Sequence, residues 1–322
     1  MEEVINYMVR VNCITYNHAP YIIEAMNGFS KQQTDFPFVC TIIDDASTDG
    51  EPEVIYQYLQ KNFDLEDNAT ARKEETDDYI LTFARHITNK NCFFAVILLK
   101  YNHFSIKKSK LPYIAKWENT KYIALCEGDD YWIAPDKLQK QVDFLELHSD
   151  YNLVYTDVNS YYEESGILIE GFFNHGIYKR VKNTYKDEIL WGWYLAPCTW
   201  VYRNGIVKYP EKRNPSLFYG DIFLVLSLSQ KGKIQYLNEV TSVYRVLPES
   251  ASHSKDSMKS FCFWKKGRYT RAMFASKQSL LFRVKFFIIC SIVAMRSMIK
   301  SNDIKHIDAY LLMIKQELSV LF

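Results

Sequence analysis

Two pairs of adjacent aspartates, Asp44-Asp45 and Asp129-Asp130, each stand directly behind a short apolar run, Phe38 to Ile43 in one case and Lys121 to Leu125 in the other. A third polar cluster, Thr15-Tyr16-Asn17, follows the β-rich run Val9 to Ile14. Neighbouring carboxylates repel one another unless a cation or strong donors offset their charge. A divalent ion bridging to phosphate oxygens does this well, because Mg²⁺ and Mn²⁺ take oxygen ligands and need only one or two carboxylates besides the substrate's phosphates. Such an ion also stabilises a departing diphosphate. The competing reading of Asp129-Asp130 is a cap for the helix that Pro135 opens. Asp49-Gly50 reads more simply as a turn.

The elements around these clusters decide between the readings. Ile22, Ala25, Met26 and Phe29 have helical spacing, as do Val54, Ile55, Tyr58 and Leu59. Phe38 to Ile43 is a continuous apolar run, the pattern of a buried parallel strand. Residues Asp64 to Asp78 are charged and read as a loop or insertion, followed by a strand over Cys92 to Leu99. A basic, helical stretch is expected over Ser105 to Trp117, then a strand over Lys121 to Leu125. The helix opened by Pro135 puts Leu138, Val142, Leu145 and Leu147 on its apolar side. This alternation predicts an α/β fold with a doubly wound, mostly parallel sheet. Ligands of such sheets bind beyond the carboxyl ends of the strands, where all three polar clusters fall.

Further on, strands are expected over Leu153 to Val158 and Thr199 to Tyr202, and a helix over Phe223 to Ser229. Lys233 to Leu237 and Ser242 to Val246 read as a final pair of strands, and the chain is helical beyond Ser257. This divides it into a main domain over 1–255 and a C-terminal helical extension over 256–322.

With 322 residues, 48% of them hydrophobic, the chain can bury a sizeable core, and a net charge of +1 provides no field to attract nucleic acid. Seven scattered cysteines without a Cys-x-x-Cys read as thiols of a reducing compartment. The acidic start Met1-Glu2-Glu3-Val4 does not read as a secretory signal, so a cytoplasmic location is expected. Leu280 to Ile299 is apolar with basic punctuation. Its uncharged interval is too short for a bilayer core of roughly 30 Å, which leaves a packed helix or a peripheral contact with the inner face of a membrane.

Taken together, Val11-Asn12-Cys13-Ile14-Thr15-Tyr16-Asn17, Ile43-Asp44-Asp45-Ala46-Ser47-Thr48-Asp49-Gly50 and Lys121 through Glu127-Gly128-Asp129-Asp130-Tyr131-Trp132 resemble family 2 glycosyltransferases. The resemblance covers residues 8–160 well and continues more loosely to 255. It implies a GT-A fold, with a donor half over about 8–150 and an acceptor half over about 151–255. It also implies an inverting mechanism, a divalent metal (Mn²⁺ or Mg²⁺) and a nucleotide-sugar donor, with a UDP-sugar foremost. The implied acceptor is a glycan or lipid-linked glycan, as in cell-surface polysaccharide assembly. Thr15 and Asn17 would lie near the nucleotide, and Asp45 would accept a hydrogen bond from its base. Asp129 would face the ribose and diphosphate, and Asp130 would ligate the metal. Lys100 is a candidate for the nucleotide edge, or simply a solvated charge ending a strand. Asp221, in Phe218-Tyr219-Gly220-Asp221, occupies the place of the catalytic base, its alternative being an ordinary helix cap. Arg245 and His253 lie in the segment expected to close over the diphosphate, His253 as a possible metal ligand.

Other chemistries fit less well. A nucleotidyltransferase would carry a Gly-rich phosphate loop, and Thr15-Tyr16-Asn17-His18-Ala19-Pro20 has no glycine. An adjacent Asp pair does not flank a glycosidic bond as a hydrolase requires. The non-enzymatic alternative is a nucleotide- or carbohydrate-binding module, against which Asp129, Asp130 and Asp221 all count.

Overall fold

The computed structural model describes residues 5–172, 184–192, 195–210, 217–248, 256–301 and 307–322. In the first half the elements are β1 (Val9–Thr15), α1 (Ile22–Ser30), β2 (Phe38–Asp44), α2 (Glu51–Asn62), β3 (Phe63–Asp64), β4 (Arg72–Glu75), β5 (Tyr79–His86), β6 (Cys92–Leu99), α3 (Leu111–Ile114), β7 (Tyr122–Leu125), β8 (Tyr131–Trp132) and α4 (Lys137–Leu147). The second half adds β9 (Tyr151–Tyr162), β10 (Ile167–Ile169), α5 (Tyr185–Trp191), β11 (Val201–Arg203), α6 (Gly220–Lys231), β12 (Lys233–Val246), α7 (Ser257–Ala275), α8 (Leu280–Ser301) and α9 (Ile307–Leu321).

One sheet runs through the molecule in the order β3-β5-β6-β2-β1-β7-β11-β9-β12-β8. Its centre, β6-β2-β1-β7, is parallel, as is the pair β9 and β12. Antiparallel β11 joins the two parallel groups, and antiparallel β5 extends the far edge. Every residue of β2 is buried, because both faces of the sheet are covered. On one face lie Met26 and Phe29 of α1, Ile55 and Leu59 of α2, and Leu138 and Val142 of α4. Ile114 and Trp117 cover the other face near β2 and β6, while Leu224 and Leu228 of α6 cover Leu153 and Tyr155. Each large side chain so enclosed stabilises the fold by about 1.5–3 kcal/mol.

Four local expectations are corrected. Tyr79–His86 is a strand, packed through Leu81 and Phe83, where only the charged residues before it had drawn notice. Ser105 to Trp117 is not a helix, because Lys107 takes a left-handed backbone (φ 56°) and only α3 and a 3₁₀ turn over Ala115–Trp117 follow. The expected final pair of strands is one strand, β12, whose register slips between Leu237 and Val240 and again before Ser242. Those irregularities break the apolar alternation that would have revealed a single element. Leu147, in the last turn of α4, is 80% exposed and leaves the apolar face to Leu138, Val142 and Leu145.

The C-terminal helices pack on the sheet domain through Ile189 and Leu190 of α5, Ile222 and Leu226 of α6, and Ala272, Phe286 and Cys290. Between them Arg268 and Glu317 form a buried ion pair, and the Arg268 guanidinium also donates to the Cys290 carbonyl at 3.0 Å. Burial raises the Glu317 carboxyl even though Arg268 pulls it down. Glu317→Ala would strand the arginine charge, so urea unfolding is expected to show a loss of about 3–5 kcal/mol. Of the seven cysteines, six are buried free thiols and Cys262 is exposed.

Candidate active site

The carboxyl ends of β1 and β2 are clasped together. Asn17 and Ala46, just beyond them, both adopt left-handed backbone, with φ 56° and 61°. Asparagine tolerates that conformation, whereas alanine holds it only when its surroundings impose it. Here the Asn17 N–H donates to Ser47 Oγ at 2.8 Å, and the Thr48 N–H donates to Asn17 Oδ1 at 2.9 Å. Glu51, fully buried in the first turn of α2, ties the same ends together. It accepts from the Thr15 hydroxyl, from the His18 N–H at 2.8 Å and from Ser47 Oγ at 2.9 Å.

Asp45 is buried beside this clasp. One carboxylate oxygen accepts from the His103 N–H at 2.7 Å, the other from the Phe104 N–H at 3.1 Å and from Lys110 Nζ at 2.9 Å. It therefore fixes the turn that follows β6. Lys100 is not brought into this group; it pairs with Glu75 at 2.9 Å, and both are exposed.

Beyond β7 the chain turns sharply through Glu127-Gly128-Asp129-Asp130. A side chain on Gly128 would lie 2.1 Å from Thr15 Oγ1 and 2.6 Å from Thr15 Cβ, so only glycine lets this turn settle on the end of β1. Gly128→Ala is expected to cost about 1–3 kcal/mol in urea unfolding through overpacking, and to displace the acidic turn. The turn brings one oxygen from each of Glu127, Asp129 and Asp130 within 4.8 Å of one another. Asp129 is the more open aspartate, with His18 Nε2 3.9 Å from Oδ2. Asp130 is 3% exposed and turns inward.

Strand β12 explains that inward turn. It pairs antiparallel with β8, Ser242 opposite Trp132 and Val243 opposite Tyr131, which delivers the Arg245 N–H to Asp130 Oδ1 at 2.9 Å. The Arg245 guanidinium is engaged by the protein itself. Nε donates to the Asp129 carbonyl at 3.0 Å, and the terminal nitrogens pair with Glu24 and Glu163. Tyr21, Tyr131 and Tyr161 surround it, with ring centroids 4.6, 5.4 and 5.3 Å away. Arg245 is thus the clamp that holds the acidic turn. Trp132 belongs to the core, its Nε1 donating to the Cys198 carbonyl at 2.8 Å.

Asp221 lies in the first turn of α6, but it is not the cap, since Tyr219 holds that position and makes no side-chain capping bond. A side chain on Gly220 would meet open space, so this glycine is not needed for a close backbone approach. Burial raises the Asp221 carboxyl to about 6, opposed by a hydrogen bond from Tyr219. Its charge adds to the rise of the Glu127 carboxyl, so the two groups interact electrostatically. Glu127 opens onto solvent and is still ringed by protein. That desolvation, then the charges of Asp221 and Asp129, raise its carboxyl above the ordinary range. Burial also raises the Asp130 carboxyl, with Asp129 and Glu127 adding to it. An acidic cluster strained in this way suits a divalent cation, whose charge would relieve it.

The fold therefore gathers Thr15, Asn17, Asp45, Asp129 and Asp130 around the carboxyl ends of β1, β2 and β7, while Asp221, on α6, is linked to them by its charge acting on Glu127. His253 lies outside the described residues. Glu51, His18 and Glu127 are the members that the sequence reading assigned no role. Two open polar grooves of about 540 and 480 Å³ lie elsewhere, around Gln33, Thr88 and the start of α4. They contain none of these carboxylates.

No family model matches the chain. Over 154 residues it is 33% identical to uncharacterised proteins of Mycobacterium bovis and Mycobacterium tuberculosis. The match takes in 47% of this chain and 35% of theirs, so it spans about a third of those relatives' length. Among solved structures it is similar to a fragment of S. aureus TarS in complex with UDP, with a TM-score of 0.54, 16% identity, and coverage of 97% of this chain and 80% of that one. It is also similar to the mannosyltransferase PcManGT of Pyrobaculum calidifontis in complex with GDP-Man and Mn²⁺, with a TM-score of 0.50, 12% identity, and coverage of 99% and 87%. The mixed sheet, the helices on both its faces and the C-terminal helical region give this chain the GT-A-like fold of these glycosyltransferases.

Proposed function

We propose that the protein is an inverting glycosyltransferase that moves a hexosyl or hexosaminyl group from a nucleotide-sugar to a hydroxyl of a glycan or lipid-linked glycan. The observation that carries this reading is the convergence of Glu127, Asp129 and Asp130 at the end of β7, with the charge of Asp221 on α6 reaching Glu127. The UDP bound by TarS and the GDP-Man and Mn²⁺ bound by PcManGT support a nucleoside diphosphate donor and a divalent metal. Glu127, Asp129 and Asp130 would hold that metal, which supplies charge stabilisation to the departing diphosphate. Asp45 shapes the nucleotide edge through the His103-Phe104 backbone, and Thr15 and Asn17 do so through the clasp with Glu51 and Ser47.

Asp221 serves as the base. As the acceptor oxygen attacks the anomeric carbon, the bond to the diphosphate breaks on the opposite side and the hydroxyl proton passes to Asp221. Arg245 holds the acidic turn still during this step, so little reorganisation is required at the reacting centre.

Asp221 must be ionised to accept the proton, and its carboxyl is raised to about 6. The rate is therefore expected to fall as pH drops through about 6, and a pH–rate profile with saturating donor checks this. The reading itself is tested by a thermal-shift screen of nucleoside diphosphates and their sugars with Mn²⁺. A ligand of the native state raises the unfolding midpoint by mass action. Release of a nucleoside diphosphate on turnover supports glycosyl transfer, whereas release of pyrophosphate would identify a nucleotidyltransferase. No shift with any nucleotide would refute both.

A further inference from the structure

The outward face of α8 is not covered by any other part of the described fold. Phe286, Cys290 and Ala294 turn inward, with exposures of 0%, 2% and 3%. On the opposite side Leu281, Val284, Ile288, Ile292 and Met295 are 80%, 39%, 50%, 40% and 52% exposed. At about 100° per residue these five fall in one sector, facing away from the buried stripe. A helix that is apolar on both faces belongs inside a protein or against lipid, yet this one leaves its second apolar face open. No helix among the described residues is long and apolar enough to cross a membrane.

Charge indicates what covers the stripe. Leu280–Ser301 contains Arg283, Lys285, Arg296 and Lys300 and no acidic residue. Arg283 is used within the fold, donating to the Gln278 carbonyl at 2.9 Å and the Leu321 carbonyl at 3.1 Å. Lys285 and Arg296 are exposed, and the same helical spacing places both along one flank of the stripe. Helix α9 touches α8 at two places, where the Leu321 carbonyl accepts from Arg283 and where Tyr310 and Met313 cluster with Ala294. Leu311 and Leu318 of α9, and Phe322 just after it, are themselves exposed by 57%, 38% and 60%. Two copies of the chain meeting stripe to stripe would bring their basic flanks together, with no acidic partner on α8. An anionic lipid surface supplies both an apolar medium and the opposite charge.

We propose that α8 lies in the headgroup region of an anionic phospholipid membrane, its apolar stripe against the acyl chains and Lys285 and Arg296 at the phosphates. This inference does not depend on which reaction the protein carries out. Co-sedimentation of the full chain with phosphatidylglycerol-containing vesicles tests it, with pure phosphatidylcholine vesicles as comparison. The wild-type protein should sediment with the anionic vesicles and much less with the neutral ones. Lys285→Gln with Arg296→Gln should weaken anionic binding by about 25-fold, at about fivefold per basic residue. Ile288→Glu with Ile292→Glu should abolish sedimentation while circular dichroism stays native, and Ile288→Ser with Ile292→Ser gives the same reading if the first pair unfolds. Wild-type protein remaining in the supernatant with anionic vesicles would overturn the proposal, as would undiminished binding by the Ile288 and Ile292 variants. A dimer in light scattering that these variants dissociate, without vesicle binding, would assign the stripe to a second copy and likewise overturn it.

Discussion

Asp221→Asn is expected to lower turnover by about 10²–10⁴-fold, the range that a positioned general base contributes. Asparagine keeps the shape of the side chain but cannot take a proton from the acceptor hydroxyl. The substitution also removes the charge that Glu127 feels, so metal and donor binding should hold or improve. Steady-state kinetics should therefore show a fall in kcat with little change in the donor KM. The acid limb near pH 6 should shrink with it, since burial raises the Asp221 carboxyl to about 6. A variant that kept wild-type turnover, or lost donor affinity instead, would remove Asp221 from the role of base.

The second large effect is expected from the acidic turn. Asp129→Ala removes the more open of the two aspartates and leaves the clamp between Arg245 and Asp130 in place. Losing one ligand of a diphosphate-bridging metal should reduce turnover by about a thousandfold, because such an ion contributes several kcal/mol of charge stabilisation. Excess Mn²⁺ should restore part of the activity, since Glu127 and Asp130 remain. Asp130→Ala should do more damage and be harder to rescue. It removes a converging oxygen and also the acceptor of the Arg245 N–H, in a place that is 3% exposed. Chelation of the wild-type protein should abolish transfer, and added Mn²⁺ should restore it.

The parallel core could be read in the sequence because its strands are buried on both faces. Phe38 to Ile43 carries no charge and a single hydroxyl, that of Thr41, and all of β2 is in fact enclosed. The strand-end carboxylates stood out for a related reason, since each pair interrupts an apolar stretch abruptly, although Asp45 proves to fix the turn after β6. Glu51 was harder to see, because an acidic residue in the first turn of a helix ordinarily complements the helix dipole. Here its oxygens turn back to Thr15, His18 and Ser47 across a loop. Arg245 posed the same difficulty. Its cage is built from Tyr21, Tyr131 and Tyr161, which only the folded chain brings together. The single strand β12 was hidden by its own bulges, and β5 by the charged stretch in front of it.

The central claim is that Glu127, Asp129 and Asp130 hold a divalent metal against the diphosphate of a nucleotide-sugar. Isothermal titration of UDP and GDP into the full chain, with and without Mn²⁺, tests this most directly. For the nucleotide that the protein uses, binding should be tight with Mn²⁺, weaker by about tenfold or more without it, and insensitive to Mn²⁺ in the Asp129→Ala, Asp130→Ala double variant. Metal-independent binding of equal strength in the wild-type and double-variant proteins would contradict the account, as would no binding of either nucleotide by a folded wild-type protein.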